Sequence, residues 1–228
     1  MNFGDSFYQN FIQDDRWLYL VQGLGATLLI TILSVIAGVI LGFIIAVIRS
    51  THDKNGNFKI LNVVCKVYLT IIRGTPVLVQ LMIVFYVILV PFSKSKILAA
   101  VIAFGLNSAA YVAEILRAGI MSIDQGQFEA GRSLGFNYIQ TMRYIVLPQA
   151  FKNVLPSLAN EFIVLLKETS VCGLIGLVDL MRGADIIRSI TFAAFLPLMA
   201  VAIIYLAMVM ILTALVNKLE RRLRENER

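Results

Sequence analysis

Six ionisable side chains fall inside stretches that are otherwise apolar enough for lipid: Arg73, Glu114, Arg117, Glu161, Lys167 and Glu168. A charge at membrane depth is costly, so such groups mark either internal pairing or a functional site. Three are basic and three acidic, so pairing can account for all of them. Depth, counted at 1.5 Å of helix per residue, sorts them. If Lys66 snorkels to the inner interface, Arg73 lies about 10 Å in. Counting from Met121, Glu114 also lies about 10 Å in. Equal depth makes Arg73 and Glu114 a candidate structural ion pair. Counting from Lys152, Glu161 lies roughly 13 Å deep, near the midplane of a core about 30 Å thick. Lys167 and Glu168 fall toward the opposite edge, where water reaches them.

Thr75, Pro76 and Asn107 share the level of Glu161, and Asn160 adjoins it. Asn107, Tyr111 and Glu114 line one helix face by their spacing. Gly74–Thr75–Pro76 interrupts a helix and frees backbone carbonyls, which is tolerated only beside a cavity or inside protein. A broken helix beside polar groups at the midplane is a substrate-site pattern. A free amino acid needs donors for its carboxylate and acceptors for its ammonium. A spare carboxylate at Glu161 favours a second cation, as on Arg, Lys or His. The candidate substrate-binding set is therefore Glu161, Asn107, Asn160, Thr75, Pro76 and Tyr111. The alternative is Glu161 paired with Arg73, which follows if the second apolar run begins nearer Leu61. No metal site is expected. His52 is the single histidine and lies in a polar loop, and Cys65 and Cys172 sit apart in apolar runs.

The elements that position these groups follow from composition. The chain is 59% hydrophobic and 15% charged, against about 25% charged in soluble domains. Five runs are long enough to span: Trp17–Ile48, Val67–Val90, Ile97–Met121, Asn153–Val171 and Ile190–Val216. The expected fold is an all-α membrane protein of five transmembrane helices. Thirteen Lys and Arg fall on one side of that layout and six on the other. The richer side is expected to be cytoplasmic, which puts the N-terminus outside and the C-terminus inside. The net charge of +6 therefore points to topology, with no nucleic-acid partner. The acidic start, MNFGDSFYQNFIQDDRW, argues against a cleavable signal. The glycine-broken segment after the fourth run predicts a short helix at the outer surface. Gly38 and Gly42 allow close helix packing in the first run.

Between the third and fourth runs lies FEAGRSLGFNYIQTMRYIVLPQA, residues 128–150, a polar segment among apolar ones. Asp124 with Gln127, and Asn137 with Gln140, have capping-box spacing. Gly135 suits the left-handed corner that ends a helix. The spacing predicts a helix to about Leu134, a sharp corner, then a second helix to Leu147, with Pro148 starting or kinking the fourth run. Residue chemistry alone leaves two readings level, a surface connection or a docking element.

Here the segment resembles the cytoplasmic coupling loop of ABC-importer permeases. Glu129, Ala130, Gly135, Leu147 and Pro148 match that pattern, and Gly131 stands where the family usually has Ala. RGTPVLVQL (Arg73 to Leu81) and LPSLANEFIVLLKETS (Leu155 to Ser170) resemble the polar-amino-acid uptake branch. The resemblance implies one permease domain over residues 1–228 in the bacterial cytoplasmic (inner) membrane. Its coupling loop would cover about 122–148 and its cytoplasmic tail about 217–228. ATPase coupling would fall to Glu129, Ala130, Gly131, Arg132, Leu134 and Gly135. The chain has no G-x-x-x-x-G-K-[ST] phosphate loop, so it is not expected to be an enzyme. It binds no cofactor of its own in this reading; ATP and Mg belong to cytoplasmic ABC ATPase subunits. The resemblance also implies a second permease, identical or related, and an extracytoplasmic amino-acid-binding protein. A basic amino acid is the expected cargo. Glutamine or another neutral or acidic polar amino acid is the alternative, and an ATP-independent secondary carrier or a scaffold subunit the more distant ones.

Overall fold

Apolar runs of helical length fold here as helices, and among the described residues there is no strand. The computed structural model describes residues 2–225, apart from the side chains of Lys54, Asn55, Arg224 and Glu225; Arg228 of the expected tail lies outside them. A short helix α1 (Phe3–Phe7) leads through irregular turns into α2 (Trp17–Asn55). That helix runs seven residues beyond the expected end at Ile48, because nothing in Arg49–Asn55 breaks it. It stops at Gly56, whose φ of 69° is left-handed and whose N–H donates to the His52 carbonyl at 2.8 Å.

The expected span Val67–Val90 begins earlier, at Lys59, and the expected break at Gly74–Thr75–Pro76 makes it a bent pair. α3 (Lys59–Gly74) ends at Thr75, α4 (Val77–Met82) resumes after Pro76 and winds through a wide turn to Leu89, and the two arms meet at 107°. α5 (Lys96–Met121) follows, its first turn capped by the Ser95 hydroxyl. Next come α6 (Gln125–Ser133), α7 (Tyr138–Thr141) and α8 (Leu147–Glu168). The short helix expected after the fourth run is α9 (Leu180–Thr191), capped by Asp179, and α10 (Phe195–Glu225) closes the chain.

By length and apolarity, α2, α5 and α10 qualify to cross a membrane, and the bent pair α3–α4 makes a fourth. α8 is long enough but falls short in apolarity, because Lys152, Glu161, Lys167 and Glu168 interrupt it. The centre of the fold is the seam between α2 and α5. A side chain at Gly38 would strike Ser108 of α5, and one at Gly42 would strike Val112, so the expected close packing is present there. Gly119 performs the same service against Val154 of α8. Two ends result. At one, Phe11 and Leu20 pack on Leu180, Ala184 and Ile187 of α9, and Thr191 donates to Asn10 at 3.0 Å. At the other lie the end of α2 and the α6–α7 hairpin.

Candidate functional site: a sealed corner, a carboxylate hub and a capped hairpin

The break in the second span sets the first feature. Pro76 has no N–H, so the Ile72 carbonyl one turn earlier loses its helical donor. The Gln80 amide supplies the replacement. It donates to the Ile72 carbonyl at 2.8 Å, to the Thr75 carbonyl at 3.0 Å and to the Thr75 hydroxyl at 2.9 Å. Its own oxygen accepts from Asn107 of α5 at 3.4 Å. Thr75, Gln80 and Asn107 thus form one chain of polar contacts across the corner. Gln80 was not among the residues singled out from sequence. Its position four residues beyond Pro76, able to reach back over the corner, was the available signal.

Glu161 lies half-buried on α8, directed toward Ser108 of α5. The Ser108 hydroxyl has no partner at standard hydrogen-bond geometry. Among the described residues no cation lies within 4 Å of Glu161, and Arg73 is engaged elsewhere. The expected layer is thus brought together in part. Thr75, Pro76 and Asn107 meet at the corner and Glu161 adjoins the neighbouring α5 position. Asn160 is exposed and its side chain makes no hydrogen bond among the described residues, and Tyr111 packs under Arg73.

Glu114 is the second feature. It pairs with Arg49 of α2, with Arg117 one turn along α5 at 3.6 Å, and with Arg73 of α3 at 3.9 Å. Arg117 also reaches Asp53 of α2 at 3.1 Å. The Arg73 guanidinium stands 5.7 Å above the Tyr111 ring. The expected two-residue contact between Arg73 and Glu114 is therefore one edge of a hub that joins three helices. Arg49, which sequence reasoning placed in a connection, is a member because α2 continues through it. A pocket of about 460 Å³ opens beside this hub, lined by Arg49, Lys66, Arg73 and Glu114.

The third feature is the hairpin of α6 and α7. Asp124 accepts from the Gly126 N–H at 2.6 Å, which fixes the start of α6. The reciprocal half of the expected box is not made, since Gln127 instead accepts from Gln149 at 3.2 Å. At the corner, Gly135 has φ 80°. The Phe136 N–H bonds the Gly131 carbonyl at 3.0 Å and the Gly135 N–H bonds that of Arg132 at 2.9 Å, the paired bonds of a Schellman ending. Asn137 and Gln140 form the full capping box, both bonds 2.9 Å. The chain then widens by one residue per turn over Met142–Val146, with the Leu147 N–H reaching back to Met142. That wider winding absorbs the donor missing at Pro148.

Gly131 lies inside this hairpin, against Thr141, so its small size serves the chain's own packing. Phe128 and Tyr138 stack with ring centres 6.5 Å apart beneath it, and burial raises the Tyr138 hydroxyl above its usual pKa. Outward, the hairpin shows Glu129, Ala130, Arg132 and Gly135 together with three large apolar groups. Leu134 is 71% exposed, Ile139 73% and Tyr144 62%. The loop is thus ordered by three caps and presents these apolar side chains outward.

An all-helical fold with a broken span, buried polar links between helices and a capped hairpin at one end defines a membrane transport subunit. The chain belongs to the binding-protein-dependent transport system inner membrane component family, which it matches over residues 38–225, and so is an ABC-transporter permease. It is 41% identical over 211 residues to the arginine transport system permease protein ArtQ of Bacillus subtilis, covering 92% of this chain and 94% of that one. It is 36% identical over 208 residues to the glutamine transport system permease protein GlnP of Escherichia coli, covering 90% and 93%. Among solved structures, it is similar to a chain from a crystal structure of an amino acid ABC transporter with histidines. That likeness has a TM-score of 0.82 and 43% identity over 90% of this chain and 94% of that one. The MetNI methionine ABC transporter in an inward-facing form shares the fold, with TM-score 0.81 at 20% identity over 92% and 98%.

Proposed function

We propose that this permease carries a basic amino acid such as arginine, lysine or histidine into the cell by alternating access, as one half of a pathway completed by a second permease. The observation that carries the reading is Glu161: a carboxylate at the α8–α5 seam with no cation beside it among the described residues, next to the corner sealed by Gln80 and Asn107. A carboxylate without a partner in a low-dielectric site favours an incoming cation. Its helix supports the same placement. Asn153, Ser157, Asn160 and Lys167 form an exposed stripe along one face of α8. Polar groups at that depth suit a water-filled path better than lipid. On this reading α8 is a fifth crossing, with the N-terminus outside and the hairpin in the cytosol, as the distribution of Lys and Arg favours.

ATP hydrolysis with Mg falls to partner ABC ATPase subunits docked on the exposed face of α6 and α7, and an extracytoplasmic binding protein delivers the cargo. Closure of the ATPases moves the hairpin. The α8 helix, continuous in winding with α7, carries that movement to Glu161. The Glu114 hub ties α2, α3 and α5 together, so these move as one body.

Glutamine is the second reading. The similarity to glutamine permeases favours it, and so does the amide pair Gln80–Asn107 near the site. An ATP-independent carrier leaves the apolar face of the hairpin without an occupant. The deciding experiment reconstitutes the permease with its ATPase and measures uptake of labelled arginine, lysine, histidine and glutamine by wild type and Glu161→Gln. The expected result is loss of basic uptake by at least about tenfold, the equivalent of 1.4 kcal/mol. Unchanged basic uptake removes Glu161 from the role of selector.

A further inference from the structure

Away from the hub and the corner, α2, α8 and α10 enclose an open groove of about 440 Å³, lined by Val39, Phe151, Leu155, Phe162, Leu215 and Leu219 among other apolar groups. We infer that this groove holds one acyl chain of an anionic phospholipid, with the headgroup phosphate gripped by Lys152 and Arg222.

Three observations place it there. First, the groove looks away from the polar stripe. Successive residues of a helix advance about 100°. Leu155, Leu158 and Phe162 therefore lie about half a turn round α8 from Asn153, Ser157 and Asn160. If the polar stripe faces water or the second permease, the groove faces lipid. Second, its length fits. From Phe151 to Phe162 the wall runs about 17 Å along α8, against about 15 Å for one leaflet of hydrocarbon. Third, one end is basic. Lys152 shares a helix face with Leu155 and Ala159, and Arg222 follows Leu215 and Leu219 on α10. Lys218 flanks them on the same turns and all three cations are exposed. Against Glu220 they leave a positive balance. Basic groups at the mouth of an interhelical groove are the chemistry that recognises an anionic headgroup.

α10 packs on α9 through Val201, Ile204 and Tyr205, yet only 6% of its most apolar window is buried inside the chain. A lipid wedged between α10 and α8 supplies packing at the level where α8 receives movement from the hairpin.

The test uses the full chain with Trp17→Phe and Phe162→Trp, which leaves a single tryptophan in the groove wall. The protein is placed in phosphatidylcholine vesicles doped with chain-brominated phosphatidylglycerol or chain-brominated phosphatidylcholine at equal mole fraction. The brominated phosphatidylglycerol is expected to quench more strongly. Lys152→Gln and Arg222→Gln should each weaken that preference by about fivefold. Equal quenching by both lipids overturns the proposal in favour of bulk lipid. Quenching by neither overturns it in favour of a protein surface, a second copy included. A control without substitutions in the wall follows phosphatidylglycerol kept by the wild-type protein after detergent extraction, weighed by mass spectrometry. Retention that the Lys152→Gln and Arg222→Gln changes leave untouched also refutes the site.

Discussion

Gly131→Ala tests whether the α6–α7 hairpin is a single packed unit. A Cβ on Gly131 would lie 2.6 Å from the Thr141 hydroxyl oxygen, 2.7 Å from its methyl carbon and 3.2 Å from its Cβ. Two of those distances are below any real carbon contact. Thr141 is 2% exposed and β-branched, so rotating χ1 exchanges one clash for the other. The backbone at Gly131 is ordinary helix. Alanine there gains up to about 1 kcal/mol of helix propensity, against about 1–3 kcal/mol for overpacking. The net expectation is a loss of about 1–2 kcal/mol in hairpin stability. That corresponds to a roughly five- to thirtyfold rise in the population with α6 lifted off α7. The assay is substrate-stimulated ATP hydrolysis by the reconstituted transporter, with thermal unfolding of the same protein. Gly131→Ala should lower stimulation and melting temperature together. Adding Thr141→Ala, which leaves only the 3.2 Å contact, should restore most of both. If Gly131→Ala behaves as wild type, or the double variant is no better than the single, the two helices do not interlock at this point. The pairing of Gly131 with Thr141 also gives a physical reason for glycine where the family pattern usually has alanine.

Four further substitutions read the rest of the fold. Glu114→Gln strips three arginines of their shared carboxylate. The Glu114 side chain is 25% exposed, so solvent screening tempers the loss to about 1–3 kcal/mol of thermal stability. Arg73→Gln, which removes a 3.9 Å ion pair and the stacking over Tyr111 from an exposed side chain, should cost less; equal losses would contradict the hub. Gln80→Leu leaves the Ile72 and Thr75 carbonyls uncapped and should cost about 1–3 kcal/mol, read as a lowered melting temperature. A shift within experimental scatter would mean the corner is held by other contacts. Asp179, in the connection before α9, is fully buried and carries an unpartnered oxygen, and burial pushes its carboxyl from 3.8 up to about 6. The folded chain there holds a proton that the unfolded chain releases. Stability from this group is therefore complete below about pH 4 and lost as pH rises to about 6, by about 3 kcal/mol. Asp179→Asn should flatten melting temperature against pH across that window, and an unchanged slope would assign it to other groups.

The parts of this architecture that were readable in the sequence are those fixed by local chemistry. Asn137 with Gln140, Gly135 and the helix break at Gly74–Pro76 each act within a few residues, and each appears where its spacing put it. What escaped depends on how helices meet. Counting depth brought Arg73 and Glu114 to one level, but depth carries no azimuth and says nothing of a third partner. Arg49 joined them because α2 continues to Asn55 and because Gly38 and Gly42 seat it on α5. The same gap separates the two predicted fates of Glu161. Arg73 was near enough in depth to neutralise it, and it lies instead over Tyr111 and beside Glu114. Among the described residues no cation stands beside Glu161, while Glu114 holds the arginine. Removing Glu114 should then do more than loosen the hub. On the proposed reading, Arg73 set free would compete with a basic cargo for Glu161. Glu114→Gln should then raise the apparent KM for arginine while leaving that for glutamine nearly alone, and Glu114→Gln with Arg73→Gln should recover it. Equal KM changes for both amino acids would show that the hub and the selector are uncoupled.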